Sequence, residues 1–313
     1  MKKLNSSWEG IHDDTGYLFS FAKSLACAVK NSPWFEYAED IIATSGFAFR
    51  MWIAPDLCPS STSIWDFDNQ KLWVESGGLS CDYVGRYWEQ ADIEEEQRLK
   101  AIDIIKKSID NGVPAISWDI SYMEWGLITG YDDETQMFYP LSLHAGYTNP
   151  KKDPFLFPYN WLGNWQLPIL SVLTIKGKSE KSQEDILQDA IKLAISHLSG
   201  EEWCENASGL DAYPALMCHF KNGFDFNLTR NAEYCLGTFG SLKYYAWKYF
   251  EKMKQTALCS TYYEIFRSWQ NAYKIKSTED ATCKEVCERI FFQLNMAYDF
   301  EKKAFDLMKK ACI

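Results

Sequence analysis

The apolar pattern of this chain changes period once, near Lys178, and that change constrains the fold more than any other feature. Before it, the strongest apolar runs are short and rich in β-branched and aromatic residues: "VPAISWDI" from Val113, "EWGLITGY" from Glu124, "MFYPL" from Met137 and "LPILSVLTIKG" from Leu167. Such runs read as strands. After it, apolar residues return every three or four positions over 182–198, roughly 229–254, 260–273 and 279–310, which is the period of helices. The expected fold class is therefore α+β, with an α/β domain over 1–177 and an all-helical bundle or cap domain over 178–313. Ser182 followed by Asp185 reads as the capping box that opens the second part.

Helices are expected in the first part as well. "GYLFSFAKSLACAVK", from Gly16 to Lys30, carries apolar residues at helical spacing. "EEEQRLKAIDIIKKSIDNG", from Glu94 to Gly112, has acids first, lysines late and a glycine stop, the charge order that a helix dipole favours. The turn "YDDETQ" joins the run from Glu124 to the run from Met137 as a hairpin.

Composition excludes several function classes. A hydrophobic fraction of 47% offers enough apolar surface for packed cores in a chain of 313 residues, so a disordered chain is excluded. The formal net charge of -11, with lysines scattered among acids, opposes contact with nucleic acid or anionic membranes. No window approaches the run of about 18 apolar residues that a membrane-spanning helix needs. The N-terminus turns polar where an export signal requires an apolar run, so a cytoplasmic location is expected. The 10 cysteines are irregularly spaced and are expected to be free thiols, and the sequons at Asn5, Asn206 and Asn227 are then unused.

Candidate site residues gather around the hairpin and the first helix. Asp119 and Glu124 flank the loop between two strand-like runs, and His12, Asp13 and Asp14 precede the first helix, which Asp14 is placed to cap. Glu124 stands in an apolar run beside Trp125, a costly place for a carboxylate unless it is solvated or paired. It is read either as a cleft carboxylate, serving as general base or as the seat of a cationic ligand, or as an exposed strand residue, or as the partner of Arg50 in a salt bridge. Tyr17, Trp52, Trp65, Trp118, Trp125 and Tyr131 supply aromatic faces. Cys27 lies two to three turns into the first helix, inside its apolar pattern, and reads as a buried structural thiol. Ser20 lies one turn into that helix, with His12 as its imaginable base. His144, His197 and His219 show no ligand spacing, and Cys283 and Cys287, one turn apart, read as packing. No metal and no cofactor are expected.

The segments "GVPAISWDISYMEWGLITGYDDE" and "TSGFAFRMWI" (Thr44 to Ile53), with "GLDAYPAL" (Gly209 to Leu216) in the helical part, resemble a bacterial family related to the N-terminal region of butirosin biosynthesis protein H. The resemblance covers most of the chain. It implies a papain-like α/β domain, a cysteine nucleophile early in the chain and a histidine opening the hairpin strand. It also implies acyl transfer from a carrier protein. Aligning the family's Gly-Tyr-Asp with Gly130, Tyr131 and Asp132 puts Glu124 at the histidine position, and the start of the first helix offers no thiol. The expectation is a degenerate papain-like protein binding a small peptide-like or aminoacyl ligand. The alternatives are an active acyltransferase or amide hydrolase using Ser20 or Cys27, and an assembly protein forming a homo-oligomer through its helical part.

Overall fold

The computed structural model describes residues 1–63, 65–121, 123–142, 156–201, 206–221 and 223–311. His144, Cys204 and Cys312 lie outside the described residues. In chain order the elements are β1 (Lys2–Lys3), α1 (Ser20–Lys30), α2 (Ile41–Thr44), β2 (Trp52–Ile53), α3 (Asn69–Ser76), β3 (Leu79–Arg86), α4 (Glu94–Asp110), β4 (Ala115–Ser121), β5 (Glu124–Asp132), β6 (Met137–Leu141), β7 (Phe157–Pro158), β8 (Leu170–Lys178), α5 (Gln183–Ser199), β9 (Ala207–Ser208), α6 (Ala212–Lys221), α7 (Thr229–Lys252), α8 (Thr256–Thr278) and α9 (Lys284–Ala311). Short 3-10 turns link several of them.

The chain divides into two compact units that exchange segments. The first comprises Met1–Ile11, Ser20–Ile41 and Phe67–Glu180; the second comprises His12–Phe19, Ile42–Asp66 and Lys181–Ile313. The expected division at 177/178 is a single crossing, whereas residues 12–19 and 42–66 group with the helical part.

The first unit is built on an antiparallel sheet in the order β3-β8-β4-β5-β6-β7, with β1 paired to the far end of β5. Strand alternation sends Ala115, Ile128 and Val172 to one face, where they meet Ala101, Ile105 and Ile109 of α4. The helix buries that stripe and keeps Glu96–Lys100 and Asp103–Lys107 pairs on its wet side. Trp125 and Leu127, of opposite parity, face away from α4, and α1 packs on β4 and β5 with Phe21 edge-on to Trp125 at 4.8 Å between centroids. Each such fully buried aromatic or aliphatic side chain contributes about 1.5–3 kcal/mol. Gly126 lets the central strands close up, since a Cβ there would stand 3.0 Å from the Leu141 carbonyl oxygen and 3.2 Å from Ile120.

In the second unit α7, α8 and α9 run as consecutive packed helices joined by short turns. Ser182 caps α5 in the expected capping box with Asp185. α8 extends beyond the expected 260–273, because Leu258 before it and Lys276 after it both continue the buried stripe and no breaker precedes Thr278. β3 and α3 are elements that the sequence reading did not mark. Among the described residues, no helix is long and apolar enough to cross a membrane.

Candidate functional site

Two local features bring Ser20 and Glu124 together. α1 begins at Ser20, so this serine is the first helical residue and not one turn inside, as its spacing had implied. β5 begins at Glu124, immediately after a turn in which Met123 has a φ of 57°. The Ser20 hydroxyl donates a hydrogen bond to Glu124 Oε2, and Ser20 Oγ accepts one from the Trp125 backbone N–H at 3.2 Å. The hydroxyl is thus donated to a carboxylate, not to a histidine.

The hairpin is shaped to present this pair. Between Ser117, opposite Gly126, and Ser121, opposite Glu124, three residues of β4 face the single Trp125 of β5. This is a bulge, which re-aims side chains by breaking the ladder. Its middle residue, Asp119, has a φ of 57° and is 2% exposed. Its Oδ2 accepts from the backbone N–H groups of Gln166 at 2.8 Å and Leu167 at 3.1 Å, anchoring the bulge to the segment that enters β8. Asp119 is therefore a strut for the hairpin. Burial raises its pKa, against the lowering effect of these N–H groups and that of Met123.

Aromatic rings pack on the residue next to Glu124. Trp125 meets Trp118 at 5.3 Å and Phe67 at 5.0 Å, and Phe67 meets Trp118 at 5.5 Å. Glu124 is partly buried. Burial pushes its pKa above the ordinary glutamate value, and the Ser20 hydrogen bond opposes the shift without cancelling it. Among the described residues no cationic side chain offsets that burial.

The other sequence candidates fall elsewhere. Cys27 is fully buried, its thiol directed at the Ser7 carbonyl oxygen at 2.9 Å and bonded by Asn31 Nδ2 at 3.3 Å. Burial pushes its pKa up to about 12, which suits an inert thiol. Tyr131 sits seven residues along β5 from Glu124, about 23 Å at strand rise. A register shift between Ile128 and Gly130 turns it toward α4, where its hydroxyl donates to Asp110 at 3.0 Å.

His12, Asp13, Asp14, Tyr17, Arg50, Trp52 and Trp65 belong to the second unit. His12 stacks on Tyr244 at 3.3 Å between centroids, with its Nδ1 3.4 Å from Asp14 Oδ1. Burial lowers the His12 pKa while Asp14 and Asp13 oppose the shift. Asp14 does not cap α1, which starts six residues later; it accepts a long bond from Gln270 Nε2 at 3.4 Å. Tyr17 meets Tyr234 and Tyr273 edge-on. Arg50, weighed as an ion partner for Glu124, is 4% exposed and lays its guanidinium over Trp52 at 3.7 Å and Trp65 at 5.0 Å.

Among the described residues, no group of His, Cys, Asp and Glu side chains is arranged to hold a metal ion. The Cys287 thiol is directed at the Ala281 carbonyl oxygen at 2.8 Å. The cysteines of the described residues are free thiols. Comparison of the chain with protein-family models and with curated proteins gives no match.

Proposed function

We propose that the chain is a catalytically degenerate, papain-like protein of the butirosin-protein-H-like family, and that Glu124 holds the ammonium group of a small peptide-like or aminoacyl ligand. The observation that carries this reading is the Ser20–Glu124 hydrogen bond, which joins the first residue of a helix to the first residue of a hairpin strand. The family resemblance implies a thiol at the start of the first helix and an imidazole at the position of Glu124. A thiol and an imidazole exchange a proton near neutral pH. A serine hydroxyl gives its proton to a carboxylate far less readily, and Ser20 is 2% exposed with its oxygen already accepting the Trp125 N–H.

The chemistry left to the site is recognition. A carboxylate withdrawn from water with no cation beside it is relieved by a ligand that brings one. Calorimetric titration with amino-acid amides and short peptides tests this, each free amine being compared with its N-acetylated form. Binding of the free amines only, lost in Glu124→Gln, is the expected result. Equal binding of acetylated forms, or binding indifferent to Glu124→Gln, would sink the proposal.

A second reading draws on the same hydrogen bond. A hydroxyl bonded to a carboxylate whose pKa is raised toward neutrality has the form of a nucleophile with its base, and backbone N–H groups at the start of α1 would face a developing oxyanion. In that reading the protein is an acyltransferase or amide hydrolase, with a carrier protein as the natural acyl donor. Covalent capture of Ser20 separates the two readings.

A further inference from the structure

The second unit contains an ion pair that is wholly removed from solvent. Lys243 on α7 and Glu301 on α9 are both 0% exposed, with Nζ 2.8 Å from Oε2. The Glu301 carboxylate also accepts from the Tyr213 hydroxyl of α6 at 2.7 Å and from the Tyr262 hydroxyl of α8 at 2.8 Å. Trp269 Nε1 donates in turn to the Tyr213 oxygen at 2.9 Å. Both tyrosine hydroxyls thus donate to the Glu301 carboxylate, which also faces Lys243 Nζ.

The position of Glu301 in its helix gives the pair a meaning. The buried seam of α9 runs Ile290, Leu294, Ala297, Glu301, Ala304 and Met308, spaced alternately by four and three residues. Without Glu301 this seam is purely apolar and its positions repeat on a shift of seven, alanine falling on alanine at 297 and 304 and Ile290 on Ala297. Such a seam packs acceptably in more than one register. A single charged residue in it removes the degeneracy, because a slipped helix would bury the carboxylate without its donors.

We infer that the Lys243–Glu301 pair is a register lock of the helical unit, one carboxylate on α9 that takes a hydroxyl donor from α6, another from α8 and a cationic partner from α7. The lock predicts a division between stability and uniqueness. Replacing both charges by apolar side chains, as Lys243→Met with Glu301→Leu, leaves a folded helical unit with α9 free to occupy alternative registers. Hydrogen exchange of the full chain followed by mass spectrometry reads this directly. The expected result is a retained thermal transition together with two or more isotopic populations in α9 peptides, where the wild type gives one. A double variant with a single α9 population protected as in the wild type would overturn the lock. Should that variant fail to fold, Tyr262→Phe, which takes one donor from the same carboxylate, is read instead. Faster exchange in α8 and α9 together supports the lock, and faster exchange confined to α8 overturns it.

Discussion

The Ser20 hydroxyl is bonded to Glu124, 104 residues further along the chain, so the start of α1 and the start of β5 are held by one polar contact. The contact is closed on both sides, since the same oxygen receives the Trp125 N–H. Cutting it from the serine side leaves a buried N–H and a carboxyl group without their partner. Ser20→Ala is expected to lose about 1–3 kcal/mol of unfolding free energy. Glu124→Gln keeps an acceptor for the hydroxyl and removes a desolvated charge, so it should cost less than Ser20→Ala. Urea denaturation of the two variants checks the order.

The raised pKa of Glu124 fixes a sign for pH dependence. The folded protein binds a proton at this site more tightly than the unfolded chain does, so stability is lost as pH rises from the ordinary glutamate range through the folded pKa. Asp119 shifts the same way and contributes to the wild-type profile. The difference between wild type and Glu124→Gln isolates Glu124: the variant should gain stability relative to wild type as pH rises through that window. Urea midpoints measured at a series of pH values test it, and a difference that is flat or shrinks with pH contradicts the assignment.

Asp119 holds a backbone that asparagine also accepts, at a φ of 57° and with an oxygen for the Gln166 and Leu167 N–H groups. Asp119→Asn is therefore expected to be mild. Asp119→Ala strands the two backbone donors and puts alanine in a left-handed conformation, and should cost about 2–4 kcal/mol. Thermal unfolding of both variants distinguishes a strut from a catalytic acid, for which activity and not stability would separate them.

Much of the first unit was legible because its strands obey simple alternation. The run from Met137 to Leu141 is β6 with the bounds its apolar pattern gave, and Ser182 with Asp185 starts α5 as a capping box should. The start of α1 was not legible. Leu18 and Phe19 continue the helical spacing of the residues after them, yet they precede the helix and are buried without it. That error of one turn hid the pairing of Ser20 with Glu124. β3 escaped notice because Asp82 and Gly85 are poor strand formers; its pairing with β8 along the whole strand overrides that preference. Charges in a helical seam read as a solvated face, so Lys243 and Glu301 gave no sign of their burial.

The same burial predicts how single charge removals behave. Glu301→Gln leaves Lys243 buried without its counter-charge, and breaking a buried pair in this way costs about 3–5 kcal/mol. Burial lowers the Lys243 pKa, so the unfolded chain binds that proton more tightly. Stability of Glu301→Gln should then rise as pH rises toward the ordinary lysine range. Tyr213 and Tyr262, the other titratable groups facing Glu301, have pKa values raised well above the tyrosine range and stay neutral through this window. Guanidinium denaturation of the variant between neutral and alkaline pH measures the slope, and a negative slope would contradict it.

Thiol chemistry should be confined to the surface. Cys27 is fully buried with its pKa pushed up to about 12, whereas Cys218 and Cys283 are exposed. Iodoacetamide near pH 6, followed by peptide mass spectrometry, is expected to show no fast labelling of Cys27. Selective fast labelling there would revive a cysteine nucleophile.

The most direct test of the central claim is exposure of the native protein to a fluorophosphonate probe, with Ser20 read out by peptide mass spectrometry. A recognition site whose serine is locked between Glu124 and the Trp125 N–H predicts no adduct at Ser20. A stoichiometric adduct that disappears in Glu124→Gln would show an activated serine with its base, and would contradict the account.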